Sequence, residues 1–136
     1  MARRLNRGNS GNAGVFSNAE DLAVLCRSLM GTYPRRILSP AAVRTMATIP
    51  PQVDPSVGRA LGWDKQSVDS GLRGDLFDPE TTLVHTGYTG TSLLIDLGSR
   101  TAVIILTNRV HPRDVGSVAR LRAQIANIVA GQILTL

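Results

Sequence analysis

Between two apolar runs of the chain lies His85-Thr86-Gly87-Tyr88-Thr89-Gly90-Thr91-Ser92. This short segment combines an imidazole, several hydroxyls and two glycines. An imidazole can hold a proton network or a substrate carboxylate, and its charge depends on pH where a lysine's would not. Thr86 offers a hydroxyl from the same edge. Gly87 and Gly90 have no Cβ, so a substrate can come close to the backbone. A strand edge can also present a backbone N–H to a developing oxyanion. A histidine beside a glycine-rich turn is, taken alone, more often a surface residue, so its neighbours must decide its role.

The elements that would position this segment can be read from periodicity. Three strands are expected, at 82–85, 92–97 and 102–107. The tight connection Leu97-Gly98-Ser99-Arg100 makes the last two an antiparallel pair. Ala102-Val103-Ile104-Ile105-Leu106 is continuously apolar, as in a strand covered on both faces. A helix from about 114 to 130, with Val118, Leu121, Ile125 and Ile128 on one face, supplies one cover. The other face has no obvious partner of sufficient size.

Upstream, Ser17 and Glu20 form a potential capping box for a helix whose apolar face is Leu22, Leu25, Cys26, Leu29 and Met30. Gly31 is placed to end it in a left-handed turn. Ser39-Pro40 starts a second helix with Val43, Met46 and Ala47 inward, and Pro50-Pro51 stops it. Residues 59–63 suggest a short strand, and 64–82, with Gly71, Gly74 and Pro79, a hairpin or long loop. Residues 1–14 read as an open loop punctuated by Gly8, Gly11 and Gly14, and 15–136 as the packed domain. The expected class is α+β: an antiparallel sheet of about three strands, a C-terminal helix packed on it, and helices N-terminal to it.

Composition narrows the function. The chain has 136 residues, 43% hydrophobic and 4% aromatic, enough for one domain with a core of Leu, Ile, Val and Ala. Cys26 is the single cysteine, so no intrachain disulfide can form, and its place on the apolar helical face makes it a small buried hydrophobe. The net charge of +5 comes from fourteen arginines and one lysine, Lys65. The arginines are scattered, and aromatics do not interleave with them as stacking surfaces for nucleic acid would require. No run approaches the ~20 apolar residues of a membrane span, so no membrane partner is expected. The basic start runs into Gly8-Asn9-Ser10-Gly11-Asn12 and not into an apolar stretch, so no signal peptide is visible. The compartment is left open, cytoplasmic if the chain is complete. No metal and no cofactor are called for.

Five ordered segments carry a family resemblance. They are Gly11-Asn12-Ala13-Gly14-Val15-Phe16-Ser17-Asn18-Ala19-Glu20-Asp21-Leu22; Ile37-Leu38-Ser39-Pro40; Leu61-Gly62-Trp63; His85-Thr86-Gly87; and Leu106-Thr107-Asn108-Arg109 with Pro112 following. Together they resemble the C-terminal half of the penicillin-recognising serine hydrolases: β-lactamases, penicillin-binding proteins and related esterases. That family uses Ser-x-x-Lys, then Tyr-x-Asn or Ser-x-Asn, then Lys-Thr-Gly on a strand edge. Its class C-like and esterase branches can carry His-Thr-Gly in the third place. The resemblance implies a partial β-lactamase/transpeptidase-like fold and a small-molecule acyl substrate in the complete enzyme. It implies His85 as a catalytic residue and the backbone N–H of Tyr88 as an oxyanion donor. Thr86 and Gly87 would line the substrate, with Arg113 in the last loop as a further candidate. His111-Pro112 reads as a structural loop.

The first two motifs do not occur. No serine has a lysine three residues later, since Lys65 is preceded at that spacing by Gly62, and no tyrosine is followed two residues on by asparagine. Ser10-Gly11-Asn12 has the Ser-x-Asn form but directly precedes the Gly-x-Ala-Gly stretch, whereas the family's second motif lies farther upstream. Acyl transfer needs an activated serine, whose own N–H is also the second oxyanion donor. The expectation is therefore the C-terminal portion of a serine hydrolase, inactive alone. The alternative is a non-catalytic binding or assembly module whose exposed sheet edge pairs with another copy or with a separate N-terminal half.

Overall fold

A computed structural model describes residues 13–65, 67 and 72–133. Residues 1–12 of the expected 1–14 loop, with Ser10-Gly11-Asn12, lie outside the described residues, as do parts of the 64–82 segment, including Gly71. Among the described residues three α-helices, α1 (Ala19–Met30), α2 (Pro40–Ala47) and α3 (Ala119–Ala130), accompany three strands, β1 (Thr82–Thr86), β2 (Ser92–Asp96) and β3 (Thr101–Ile105). The strands form one antiparallel sheet in the order β1-β2-β3, with Leu83 opposite Ile95 and Leu94 opposite Val103. The class is α+β. No described helix is long and apolar enough to cross a membrane.

Because strand side chains alternate, the sheet has two apolar faces. Leu83 and Ile95 point to one, where they pack with Cys26 and Leu29 of α1, Val43 of α2, and Trp63. Val84, Leu94 and Val103 point to the other, against Phe77 and against Ala126 and Ala130 of α3. Leu83 and Ile95 are fully buried; burial of each stabilises the fold by about 1.5–3 kcal/mol. The face that lacked an obvious cover in the sequence is thus covered by α1 and α2 together, with Trp63 filling the space beside them.

α1 is capped one residue later than expected. Asn18, not Ser17, is the N-cap: its backbone is extended, and its Oδ1 accepts the Asp21 N–H at 2.8 Å. Either residue type serves, and the shift leaves Glu20 in the first turn, where its charge suits the helix dipole. Gly31 ends the helix at φ 73° as expected. Ser28 is buried because its hydroxyl donates to the Arg35 carbonyl and accepts the Ile37 N–H, both at 3.0 Å, which ties the connection to α2. Ser39 caps α2, with Pro40 at its first position.

Three further expectations change. Residues 59–63 are not a strand: Arg59 and Asp64 make an isolated bridge, and Asp64 bridges to Val84 through paired backbone bonds of 2.8 and 3.1 Å. This single bridge covers the middle of β1's outer edge. The last helix begins at Ala119, because Gly116 at φ 83° breaks the preceding segment. Its inward face is only partly the expected one, for Ile125 does pack against the core. Arg122, Ala126 and Ala130, four residues apart, are buried, whereas Leu121 is 43% and Ile128 67% exposed. Two alanines at the contact let the helix lie close to the sheet, and the larger residues are displaced to its flanks.

Candidate active site

β1 ends at Thr86, and the chain reverses through Gly87–Thr91 into β2. Gly87 N–H donates to the Thr91 carbonyl at 2.8 Å, and Gly90 N–H to the Gly87 carbonyl at 3.1 Å, so residues 87–90 form a β-turn. This places His85, Thr86, Gly87 and Tyr88 together at one end of β1. The odd-numbered residues of β1 and its extension bond to β2: Thr81 accepts from Leu97 and Gly87 donates to Thr91. The even-numbered backbone groups therefore face the outer edge. Val84 is taken by Asp64, and among the described residues nothing bonds to the edge beyond it, at Thr86.

His85 is exposed on the face shared with Trp63. The two rings meet edge to face, with centroids 6.4 Å apart and planes at 89°. Among the described residues its imidazole has no hydrogen-bond partner, so both ring nitrogens are available to an incoming group. Thr86 is half-buried on the opposite face, across from Ser92. The backbone N–H of Tyr88 also has no partner among the described residues, which is what a donor reserved for a substrate oxygen requires.

The five carbonyls of the turn are all engaged. Arg122 Nη2 donates to Thr91 at 2.8 Å and to Gly87 at 3.4 Å. Arg109 Nε donates to Tyr88 at 2.8 Å, and the Arg109 backbone N–H to Thr89 at 2.9 Å. Thr107 Oγ1 donates to Gly90 at 2.7 Å. The Arg109 guanidinium also stacks over the Tyr88 ring, 4.5 Å from its centroid, and pairs with Asp114 at 2.9 Å. The Tyr88 hydroxyl donates to the same carboxylate.

The glycines have structural reasons of their own. Gly90 sits at φ 120°, and a Cβ there would lie 2.9 Å from the Thr107 carbonyl oxygen and 3.1 Å from the Arg109 nitrogen. What comes close to this residue is the protein's own backbone from the loop after β3. A Cβ at Gly87 would meet Thr91 Oγ1 at 2.3 Å.

Arg113 is placed differently. It is exposed, its carbonyl accepts the Val115 N–H, and its side chain bonds to none of the described residues of the turn. Asn108 turns its own loop, accepting from the Val110 and His111 N–H groups. Lys65 is buried away from the turn and donates to the Glu80 carbonyl at 2.5 Å; burial, partly offset by the nearby Glu80, lowers its pKa. The residues that sequence patterning passed over are Arg109, Thr107, Asp114 and Arg122. Arg109 falls inside a matched segment, but nothing in its spacing shows which carbonyl it serves. Arg122 sits on the face that periodicity assigns to no one.

The chain belongs to the β-lactamase family, whose model matches residues 2–127. It is therefore related to the serine hydrolases its motifs resemble. It is 36% identical over 109 residues to an N-acetylmuramyl-L-alanine amidase of Bacillus subtilis (strain 168). It is 36% identical over 108 residues to a putative D-alanyl-D-alanine carboxypeptidase of Escherichia coli O157:H7, and 35% identical over 108 residues to that of strain K12. Each match covers 76% of this chain and 24% of the relative, so the chain spans about a quarter of the length of these curated relatives. No solved structure matches it significantly.

Proposed function

We propose that residues 85–91 form one wall of an acyl-transfer site in a serine hydrolase domain acting on a β-lactam, a peptide ending in D-alanine or an ester. In this reading His85 serves the proton network or a substrate carboxylate. Tyr88 N–H receives the oxyanion, Thr86 and Gly87 line the acyl group, and Arg113 stands at the outer rim. The supporting observation is the open end of β1, where an exposed, unpartnered imidazole and an unpartnered N–H sit on a turn whose carbonyls are all bound elsewhere. The nucleophile comes from polypeptide other than these 136 residues, which by themselves are inactive. The family match and the carboxypeptidase-like relatives favour this substrate class.

Two measurements test it. The chain incubated with a fluorescent penicillin and a p-nitrophenyl ester should show neither adduct mass nor turnover; stoichiometric acylation would overturn the claim of inactivity. Grafted in place of the matching segment of the Escherichia coli relative, the chain should restore penicillin acylation, and His85→Ala should lower the rate. A graft that folds but never acylates would sink the proposed site.

A second reading, an assembly module, is favoured by β3. Among the described residues this strand pairs only with β2, and Leu106 just beyond it is exposed. A second copy or a separate N-terminal half would add a strand there. Light scattering giving a clean monomer, with no apolar dye bound, would count against it.

A further inference from the structure

We infer that Arg122 and Arg109 are positioning residues that aim the backbone N–H groups of the 87–91 turn, Arg122 setting the direction of the Tyr88 N–H and Arg109 that of the Thr89 N–H. This rests on the acyl-transfer reading for its purpose but not for its geometry. A trans peptide is planar, so the carbonyl of one residue and the N–H of the next point in opposite directions. Arg122 Nη2 and Gly90 N–H hold the Gly87 carbonyl; the Tyr88 N–H must then face away from α3, toward the open side. Arg109 Nε holds the Tyr88 carbonyl, which fixes the Thr89 N–H in the same way.

Both arginines make commitments that a surface arginine would not. Arg122 is buried, and its Nε has no partner among the described residues. A buried guanidinium is costly unless its hydrogen bonds are good, and those of Arg122 go to two carbonyls of this turn. Burial first, and the neighbouring positive charge of Arg109 second, lower the pKa of Arg122. Two cations held near each other are a burden on the fold, and both hold carbonyls of the turn that carries the Tyr88 N–H. The site is fixed in advance, so little reorganisation would accompany the reaction.

Nuclear magnetic resonance on the ¹⁵N-labelled chain tests this without any catalysis. Amide exchange of Gly87 and Gly90 and the N–H dipolar coupling of Tyr88 would be compared with exchange at Leu94 and Ile95 in the central strand. Arg122→Met keeps much of the volume and removes the donors. It should speed exchange at Gly87 and Gly90 by about tenfold or more and change the Tyr88 coupling, with Leu94 and Ile95 unmoved. Arg122→Lys should recover part of the protection. Equal loosening of turn and strand, or no change at the turn, would overturn the assignment to Arg122. Should Arg122→Met fail to fold, Arg109→Gln decides: it should change the Thr89 coupling, and an unaltered coupling would refute the proposal. Failure of the graft to acylate leaves these exchange results standing, so the two readings fail separately.

Discussion

The turn between β2 and β3 and the turn between β1 and β2 join the same three strands, yet different parts of the chain hold them. The first is held from nearby. Asp96, buried at the end of β2, accepts from Ser99 N–H at 2.8 Å, Ser99 Oγ at 2.5 Å, Thr81 Oγ1 at 2.5 Å and Thr82 Oγ1 at 3.2 Å. Its partners are three residues away or on the neighbouring strand end. The second turn is held from far along the chain, by Thr107, Arg109 and Arg122. A turn with local partners forms with its hairpin. A turn with remote partners takes its final shape only once the loop after β3 and α3 have docked. That is the turn that carries the candidate site.

The largest expected effect breaks the local turn. Asp96→Ala leaves a half-buried N–H and three hydroxyls without their acceptor and should cost about 3 kcal/mol in urea unfolding. The same group gives a pH dependence. Burial alone would raise the Asp96 carboxyl pKa, but the hydrogen bonds from Ser99, Thr81 and Thr82 outweigh it and hold the group below its usual range. A carboxyl depressed in the folded state stabilises it fully above the unfolded value, near about pH 4, and loses that contribution as pH falls through the folded value. Asp96→Asn should therefore flatten the acid limb of a stability–pH curve, and an unchanged limb would show that other carboxylates set it.

Gly90→Ala addresses the remote turn. Its positive φ and the clash with the backbone of Thr107 and Arg109 should cost about 2 kcal/mol. The damage should be confined to resonances of 86–91 and 107–110; a loss spread evenly over the sheet would erase the distinction between the turns. Thr107→Val keeps the shape and removes the bond to the Gly90 carbonyl. About 1 kcal/mol is expected by denaturant midpoint.

The smallest effect belongs to His85. His85→Lys sits on an exposed site with only an edge contact to Trp63, and should change stability by less than about 0.5 kcal/mol. A larger loss by calorimetry would mean that His85 is part of the core rather than a side chain free for substrate.

Much of the scaffold is legible in the order of residues. The Ser39-Pro40 start, the Gly31 stop and the three strands obey local rules of capping, backbone freedom and alternation. The His-Thr-Gly segment is visible because its chemistry resides in consecutive residues. What local order does not contain is the face α3 presents, since Leu121 and Ile128 fit a helical stripe as well as Ala126 and Ala130 do. Close approach to the sheet selects the small residues and turns Arg122 inward. The direction of the Tyr88 N–H likewise depends on the Gly87 carbonyl, which Arg122 binds from 35 positions away. Sequence determines which groups exist and the local structure each prefers; which remote donor meets which carbonyl is fixed only when the packed layers bring them within hydrogen-bond distance.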